Sequence, residues 1–202
     1  GEYIPAEEYL FSIRDYIDKP IGNFVKSNER SLFSLKSTMA MIRPDGSVMR
    51  TSNFYKFGVM ICFEDIFPYI ARDFTLKGAN FLVNMTNDAW FGDTSALEQH
   101  VQASVFRAVE NRVSVIRSAN TGVSCFIDFT GRVLFRLAKD GKDTFIRAAE
   151  IGTVRVSSTR SFYTQNGDLF VFFCGFMVIF ILATELILVW MAARKKIVNG
   201  ES

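Results

Sequence analysis

Gly58-Val59-Met60-Ile61-Cys62-Phe63-Glu64-Asp65-Ile66-Phe67-Pro68 joins an apolar run to a segment able to begin a helix, with a cysteine at the junction. The layout predicts a strand over Phe57 to Ile61, a turn carrying the thiol, and a helix over Ile66 to Leu76 closed by Lys77-Gly78. The unpaired N–H groups of a helix start favour a thiolate, which makes Cys62 a candidate nucleophile. A buried, inert cysteine satisfies the same pattern, because cysteine ranks among the most buried residue types.

On the N-terminal side, Pro5 with Glu7 and Glu8 suits a helix start, and Tyr9, Leu10, Ile13, Tyr16 and Ile17 recur at helical spacing. Ile21 to Leu35 has no clear period and reads as a loop. Thr38 to Ile42 and Ser47 to Thr51 flank a Pro44-Asp45-Gly46 turn, the pattern of a hairpin. On the C-terminal side, Asn80 to Met85 reads as a buried strand, Thr86 to Thr94 as a polar loop and Ser95 to Asn111 as a helix. Val113 to Arg117, Val123 to Asp128, Val133 to Leu137 and a last region, Thr144 to Val156, read as strands. Alternation in the middle with hairpin-like pairs at the flanks predicts a layered α/β architecture with a mixed sheet.

The 202 residues are 49% hydrophobic, ample for a core, but the mean joins two unlike parts. Leu169 to Ala193 is nearly unbroken apolar sequence, long enough as a helix to cross ~30 Å of hydrocarbon. Arg194-Lys195-Lys196 follow it directly and are the charges that stay cytoplasmic, which puts the globular part on the far side of a membrane. Glu185 inside the span is an ionisable group of the kind that faces partner helices or a water-filled cavity. The division is therefore a globular domain at 1–160, a polar linker at 161–168, a transmembrane helix at 169–193 and a tail at 194–202.

A formal net charge of +2 without a basic stripe gives no reason to expect nucleic acid as a partner. Cys62, Cys125 and Cys174 are an odd set and do not form a disulfide framework. His100 has no second histidine or Cys-x-x-Cys pair to join, so neither metal nor cofactor is expected and it reads as structural.

Four clusters occur in a telling order: Gly1-Glu2-Tyr3-Ile4-Pro5, Ile61-Cys62-Phe63-Glu64, Asn84-Met85-Thr86-Asn87-Asp88-Ala89-Trp90-Phe91-Gly92, and Arg117-Ser118-Ala119-Asn120-Thr121-Gly122. Together they resemble the nitrilase, or carbon-nitrogen hydrolase, superfamily, and within it the bacterial apolipoprotein N-acyltransferases. The resemblance covers nearly all of residues 1–193 but only the C-terminal part of such an enzyme. It implies a partial αββα sandwich followed by one C-terminal transmembrane helix. It also implies catalysis by a cysteine, a lysine and a glutamate. Cys62 matches the nucleophile and Glu2 a second essential glutamate. The lysine and the general-base glutamate would precede Gly1, so this chain alone is expected to be inactive.

The resemblance further implies a bacterial inner-membrane enzyme with its domain facing the periplasm or the outside. A phospholipid would be the acyl donor and a diacylglyceryl-modified apolipoprotein the acceptor, with a cysteine thioester between them. Phe63, Glu64, Asn87, Trp90 and Glu110 are candidate supporting or substrate-binding residues. Each has a duller alternative: Phe63 packing, Glu64 a first-turn acid, Asn87 and Asp88 turn hydrogen bonds, Glu110 an exposed helical charge. Trp90, in a loop too polar to bury it, suits an entrance for acyl chain or lipoprotein. Two other functions fit the motifs: a membrane-anchored nitrilase or amidase that hydrolyses C–N bonds, and a catalytically dead, tethered binding module.

Overall fold

The computed structural model describes residues 29–42 and 47–199. The expected N-terminal helix, Glu2 and the Pro44-Asp45-Gly46 turn lie outside the described residues. Six strands form one sheet in the order β1-β2-β3-β4-β5-β6. They are β1 (Phe33–Ile42), β2 (Val48–Ile61), β3 (Phe81–Thr86), β4 (Ser114–Ala119), β5 (Cys125–Ile127) and β6 (Val133–Arg136). The central pairs β2/β3 and β3/β4 are parallel, and the flanking pairs are antiparallel.

β1 begins at Phe33, inside the stretch whose lack of period reads as a loop. Aromatic pairing across strands extends it. Phe33 registers with Phe57 and Phe57 with Phe81, and their rings stack at centroid distances of 5.4 and 5.1 Å.

The two parallel connections carry α1 (Pro68–Leu76) and α2 (Ala96–Asn111), which pack on each other and on the central strands. Successive crossovers that advance in one direction across a sheet place their helices on one face. Between that face and the helices lies the core of Met60, Ile70, Phe74, Leu82, Val101, Val115 and Ile127. Gly58 permits the contact with α1, because a Cβ there would stand 2.4 Å from Cγ of Phe74.

The helix expected over Ile66 to Leu76 is interrupted near its start. Cys62–Ile66 forms a 3-10 turn, Phe67 is extended at ψ 107°, and α1 begins at Pro68. Proline excludes the preceding residue from the helical region yet suits the first helical position. Beyond β5, the Asp128 carboxylate accepts from the backbone N–H groups of Thr130 and Arg132 at 2.8 and 3.1 Å and fixes the turn into β6.

The last expected strand is absent: the described residues 144–156 contain no β-strand. This segment is fixed by single bonds, Phe145 N–H to the Thr121 carbonyl and the Ser114 hydroxyl to the Arg155 carbonyl, instead of a ladder. Strand-forming residues need a paired neighbour to realise their preference.

Within the expected linker, α3 (Phe162–Asn166) is helical and Thr164 is buried. Arg72 Nε donates to the Tyr163 and Thr164 carbonyls at 3.2 and 3.0 Å, and the Ser161 hydroxyl donates to the Glu110 carbonyl. Among the described residues, those through Thr164 form one compact unit and those from Gln165 a second. The second holds α4 (Leu169–Asn199), whose Leu169–Met191 stretch has a mean hydropathy of 2.6 and is long and apolar enough to cross a membrane.

Candidate active site

Parallel pairing aligns the C-terminal ends of β2, β3 and β4, the edge where open α/β sheets present their chemistry. Cys62 follows the last residue of β2 with φ 51°, in the left-handed region that side-chain-bearing residues rarely occupy. Two contacts hold the turn there. Glu64 Oε2 accepts from Ile61 N–H at 2.8 Å, and Asn84 Nδ2 donates to the Cys62 carbonyl at 3.0 Å. The thiol is 5% exposed, with the Thr86 hydroxyl 3.3 Å and the Asn87 carbonyl oxygen 4.0 Å from Sγ.

Beneath the thiol is a closed polar cluster. Asn84 registers with Arg117, and Asn84 and Thr86 share a strand face, which turns all three towards α2. Arg117 donates from one guanidinium nitrogen to Asp65 at 3.1 Å and from the other to Asp88 at 2.7 Å. His100 bonds Asp88 through Nδ1 at 2.9 Å and Asp65 through Nε2 at 3.0 Å. The Ser104 hydroxyl donates to Asp65 at 2.5 Å and the Thr86 hydroxyl to Asp88 at 2.7 Å. Asp65, Asp88, His100 and Arg117 are all buried. With His100 protonated their charges cancel, the condition for keeping ions out of water.

Burial alone would push the Asp88 carboxyl up, but hydrogen bonds from His100 and Thr86 and the charge of Arg117 outweigh it and hold its pKa at about 2. For His100 burial acts downward and is overcome by Asp65 and Asp88, which raise its pKa to about 9. The consequences for stability have opposite signs at the two ends of the pH scale. His100 contributes fully below its ordinary value of 6.5, and that contribution is lost as pH rises towards about 9. Asp88 contributes fully above 3.8, and its share is lost as pH falls towards about 2. Thermal melts across pH should therefore show an alkaline decline beginning near 6.5 that is absent from His100→Gln; a wild-type curve flat from pH 6 to 9 would contradict the charged imidazole.

The sequence-derived candidates fall in distinct places. Phe63 is 46% exposed, with its ring 5.4 Å from that of His100 and 6.2 Å from that of Phe91. Glu64 pins the turn. Asn87 Oδ1 accepts from Ala89 N–H, an ordinary turn bond, whereas its neighbour Asp88 is a buried ion-pair partner instead of a turn-former. Trp90, on the 3-10 turn Asp88–Phe91, is 51% exposed. Glu110 pairs with Arg107, whose other guanidinium nitrogen donates to the Ile66 carbonyl at the end of the cysteine turn. His100 forms no dyad with Cys62, because both ring nitrogens are engaged by carboxylates.

Thr86, Asp65, Ser104 and Arg117 were not among the sequence candidates. For Ser104 the signal is the spacing of His100, Ser104, Arg107 and Asn111, a buried polar stripe along one side of α2 that calls for polar partners opposite. Cys125 lies on β5, and burial pushes its thiol up to about 11, which makes it a poor nucleophile. A cavity of about 270 Å³ beside β4 to β6 is lined by Arg117, Cys125, Phe135 and Glu150, among others, but not by Cys62.

A mixed α/β sheet with a left-handed cysteine at the end of a parallel strand, seated on a charge-balanced cluster, defines a layered α/β protein with a candidate thiol centre. Residues 18–160 match the family described as carbon-nitrogen hydrolase, and the chain belongs to that family. Over 119 residues it is 44% identical to the apolipoprotein N-acyltransferase of Geobacter metallireducens, covering 59% of this chain and 22% of that protein. Over 201 residues it is 30% identical to the enzyme of the same name from Borreliella burgdorferi, covering 99% of this chain and 34% of that protein. The chain thus spans between about a fifth and a third of these relatives' lengths. A carbon-nitrogen hydrolase structure from Helicobacter pylori G27 aligns over 44% of this chain and 38% of that one, at 19% identity and TM-score 0.38.

Proposed function

We propose that this chain supplies the cysteine-bearing part of a bacterial inner-membrane N-acyltransferase. Cys62 attacks the carbonyl carbon of a phospholipid ester, the carbon–oxygen bond to glycerol breaks, and lysophospholipid departs with a proton. The acyl group then rests on Sγ as a thioester. The α-amine of a diacylglyceryl-modified lipoprotein cysteine attacks it, forming an amide and releasing the sulfur while the amine sheds its proton.

The observation that carries this reading is the presence, in one chain, of the left-handed Cys62 turn and a helix with a 23-residue apolar stretch of mean hydropathy 2.6. Lipid substrates explain such a helix, whereas small polar amides do not. The names of the two relatives support acyl transfer. Phe63 and Trp90, exposed on the turns either side of the thiol, line the approach for the acyl chain in this scheme. Glu64 and Asn87 hold those turns, and Glu110 acts at one remove through Arg107. Glu2 takes the place of the family's second glutamate. The basic Arg194-Lys195-Lys196 stretch keeps the C-terminus cytoplasmic and the domain outside.

The family description also admits hydrolysis, in which water takes the place of the amine. The discriminating assay uses membranes expressing the complete reading frame that contains this chain, with acyl-labelled phospholipid and a diacylglyceryl lipopeptide. Label should reach the lipopeptide amine, with little released as free fatty acid, and the 202-residue chain alone should give neither product. Free fatty acid as the main product in the presence of lipopeptide would replace the transferase reading by a hydrolase.

A further inference from the structure

We propose that the Thr86 hydroxyl is a two-position hydrogen-bond donor for the Cys62 sulfur, kept available by His100 acting through Asp88. The inference rests on Cys62 being the nucleophile. The Thr86 oxygen lies between two partners, Cys62 Sγ at 3.3 Å and Asp88 Oδ1 at 2.7 Å, and a hydroxyl has one proton to give. While the sulfur is a thiol, S–H donates to the Asn87 carbonyl oxygen at 4.0 Å and the Thr86 hydroxyl is free to donate to Asp88. Once the sulfur has lost its proton it only accepts, and the hydroxyl turns to donate to it.

That rotation removes one donor from a buried carboxylate, which would be unfavourable if the oxygen were left bare. It is not left bare. Oδ1 still receives His100 Nδ1–H at 2.9 Å, and Oδ2 receives Arg117 at 2.7 Å. The imidazole cannot follow the hydroxyl, because Asp65 holds Nε2 and is itself held by Ser104 and Arg117. His100 is therefore a positioning residue, while Thr86 touches the reacting atom.

No proton passes to Asp88, whose carboxyl is too acidic to take one; the thiol proton leaves to an external base. The charged and hydroxyl groups on the elements around Cys62 all enter this balance. Glu64 and Asp65 belong to its own turn, Thr86 to β3, Asp88 to the next turn, His100 to α2 and Arg117 to β4. Of these, Thr86 places its hydroxyl at hydrogen-bond distance, 3.3 Å from the sulfur.

The test is alkylation of the detergent-solubilised 202-residue chain by iodoacetamide, in which thiolate sulfur forms a carbon–sulfur bond and displaces iodide. The rate at the Cys62 peptide is followed from pH 6 to 10 by mass spectrometry. Thr86→Val, nearly isosteric but without the hydroxyl, should raise the pH of half-maximal rate by about one unit, and Thr86→Ser should restore it. His100→Gln should shift the profile in the same direction, and the two changes together should shift it no further than Thr86→Val alone.

A Thr86→Val profile superimposed on wild type overturns the proposal, as does a His100→Gln shift that persists undiminished in the Thr86→Val background. If Thr86→Val does not fold, an unshifted His100→Gln profile is sufficient to overturn it. Because alkylation needs no lipid, a Thr86 effect without any acyl thioester would discard the transferase reading and leave this one standing.

Discussion

Cys62→Ala is expected to abolish the acyl thioester while leaving the domain folded. The left-handed φ of 51° strains alanine and cysteine alike, since both carry a Cβ, so the substitution adds no backbone cost. What is lost is one sulfur, and Thr86 then keeps its proton on Asp88 at all times. Stability should change by no more than about 1 kcal/mol, while hydroxylamine-labile label from phospholipid should fall to background. Cys62→Ser can form at most an oxygen ester and should give little of it, because a serine hydroxyl is a far weaker nucleophile without a dedicated base. Hydroxylamine-labile label that survives Cys62→Ala in the complete protein would remove this residue from its assigned role.

Arg117→Met should be the most damaging single change to the fold. It preserves much of the side-chain bulk but leaves Asp65 and Asp88 buried with only His100 to balance them. Breaking a buried ion network by removing one partner costs about 3–5 kcal/mol, because the remaining charge is uncompensated. At this chain length that lowers Tm by about 6–20 °C. Arg136, by contrast, pairs with Glu98 at 2.7 Å but at a half-exposed site, and Arg136→Met should cost no more than about 1 kcal/mol. Arg117→Lys should recover only part of the loss, since one ammonium cannot replace a nitrogen shared by Asp65, Asn84 and Ser104 and another on Asp88. Melts of equal Tm for Arg117→Met and Arg136→Met would show that the cluster does not hold the domain together.

The elements that bury one face are legible in the sequence, because burial imposes the period. β3 and α2 lie within a residue or two of the buried strand and the helix read from the sequence, and the thiol sits at the strand end that the Gly58–Pro68 stretch indicates. Residues 144–156 mislead, because strand propensity does not reveal whether a partner edge is on hand. Phe33 misleads in the opposite sense, since its strand is made by rings on β2 and β3.

The cluster was legible only in fragments. Nothing local to Asn84 announces Arg117; they meet because β3 and β4 pair in one register out of several, and a slip by a single residue would turn Arg117 to the other face. The turn-forming role given to Asp88 failed for the same reason, and the structural role given to His100 named none of its partners. A turn-former is a sensible reading of Asp88, and a structural histidine without named partners is as far as the sequence goes, until tertiary structure sets a carboxylate on each ring nitrogen.

The partners of that register are also delivered at different times. Asp65 and Arg117 are 52 positions apart, and ribosomes build the chain from its N-terminus. A nascent polypeptide therefore presents Cys62 as an ordinary thiol until β4 has been translated and has zipped beside β3. Leu169–Met191 is synthesised later still, so maturation of the sulfur's surroundings can precede any insertion of that segment into a bilayer.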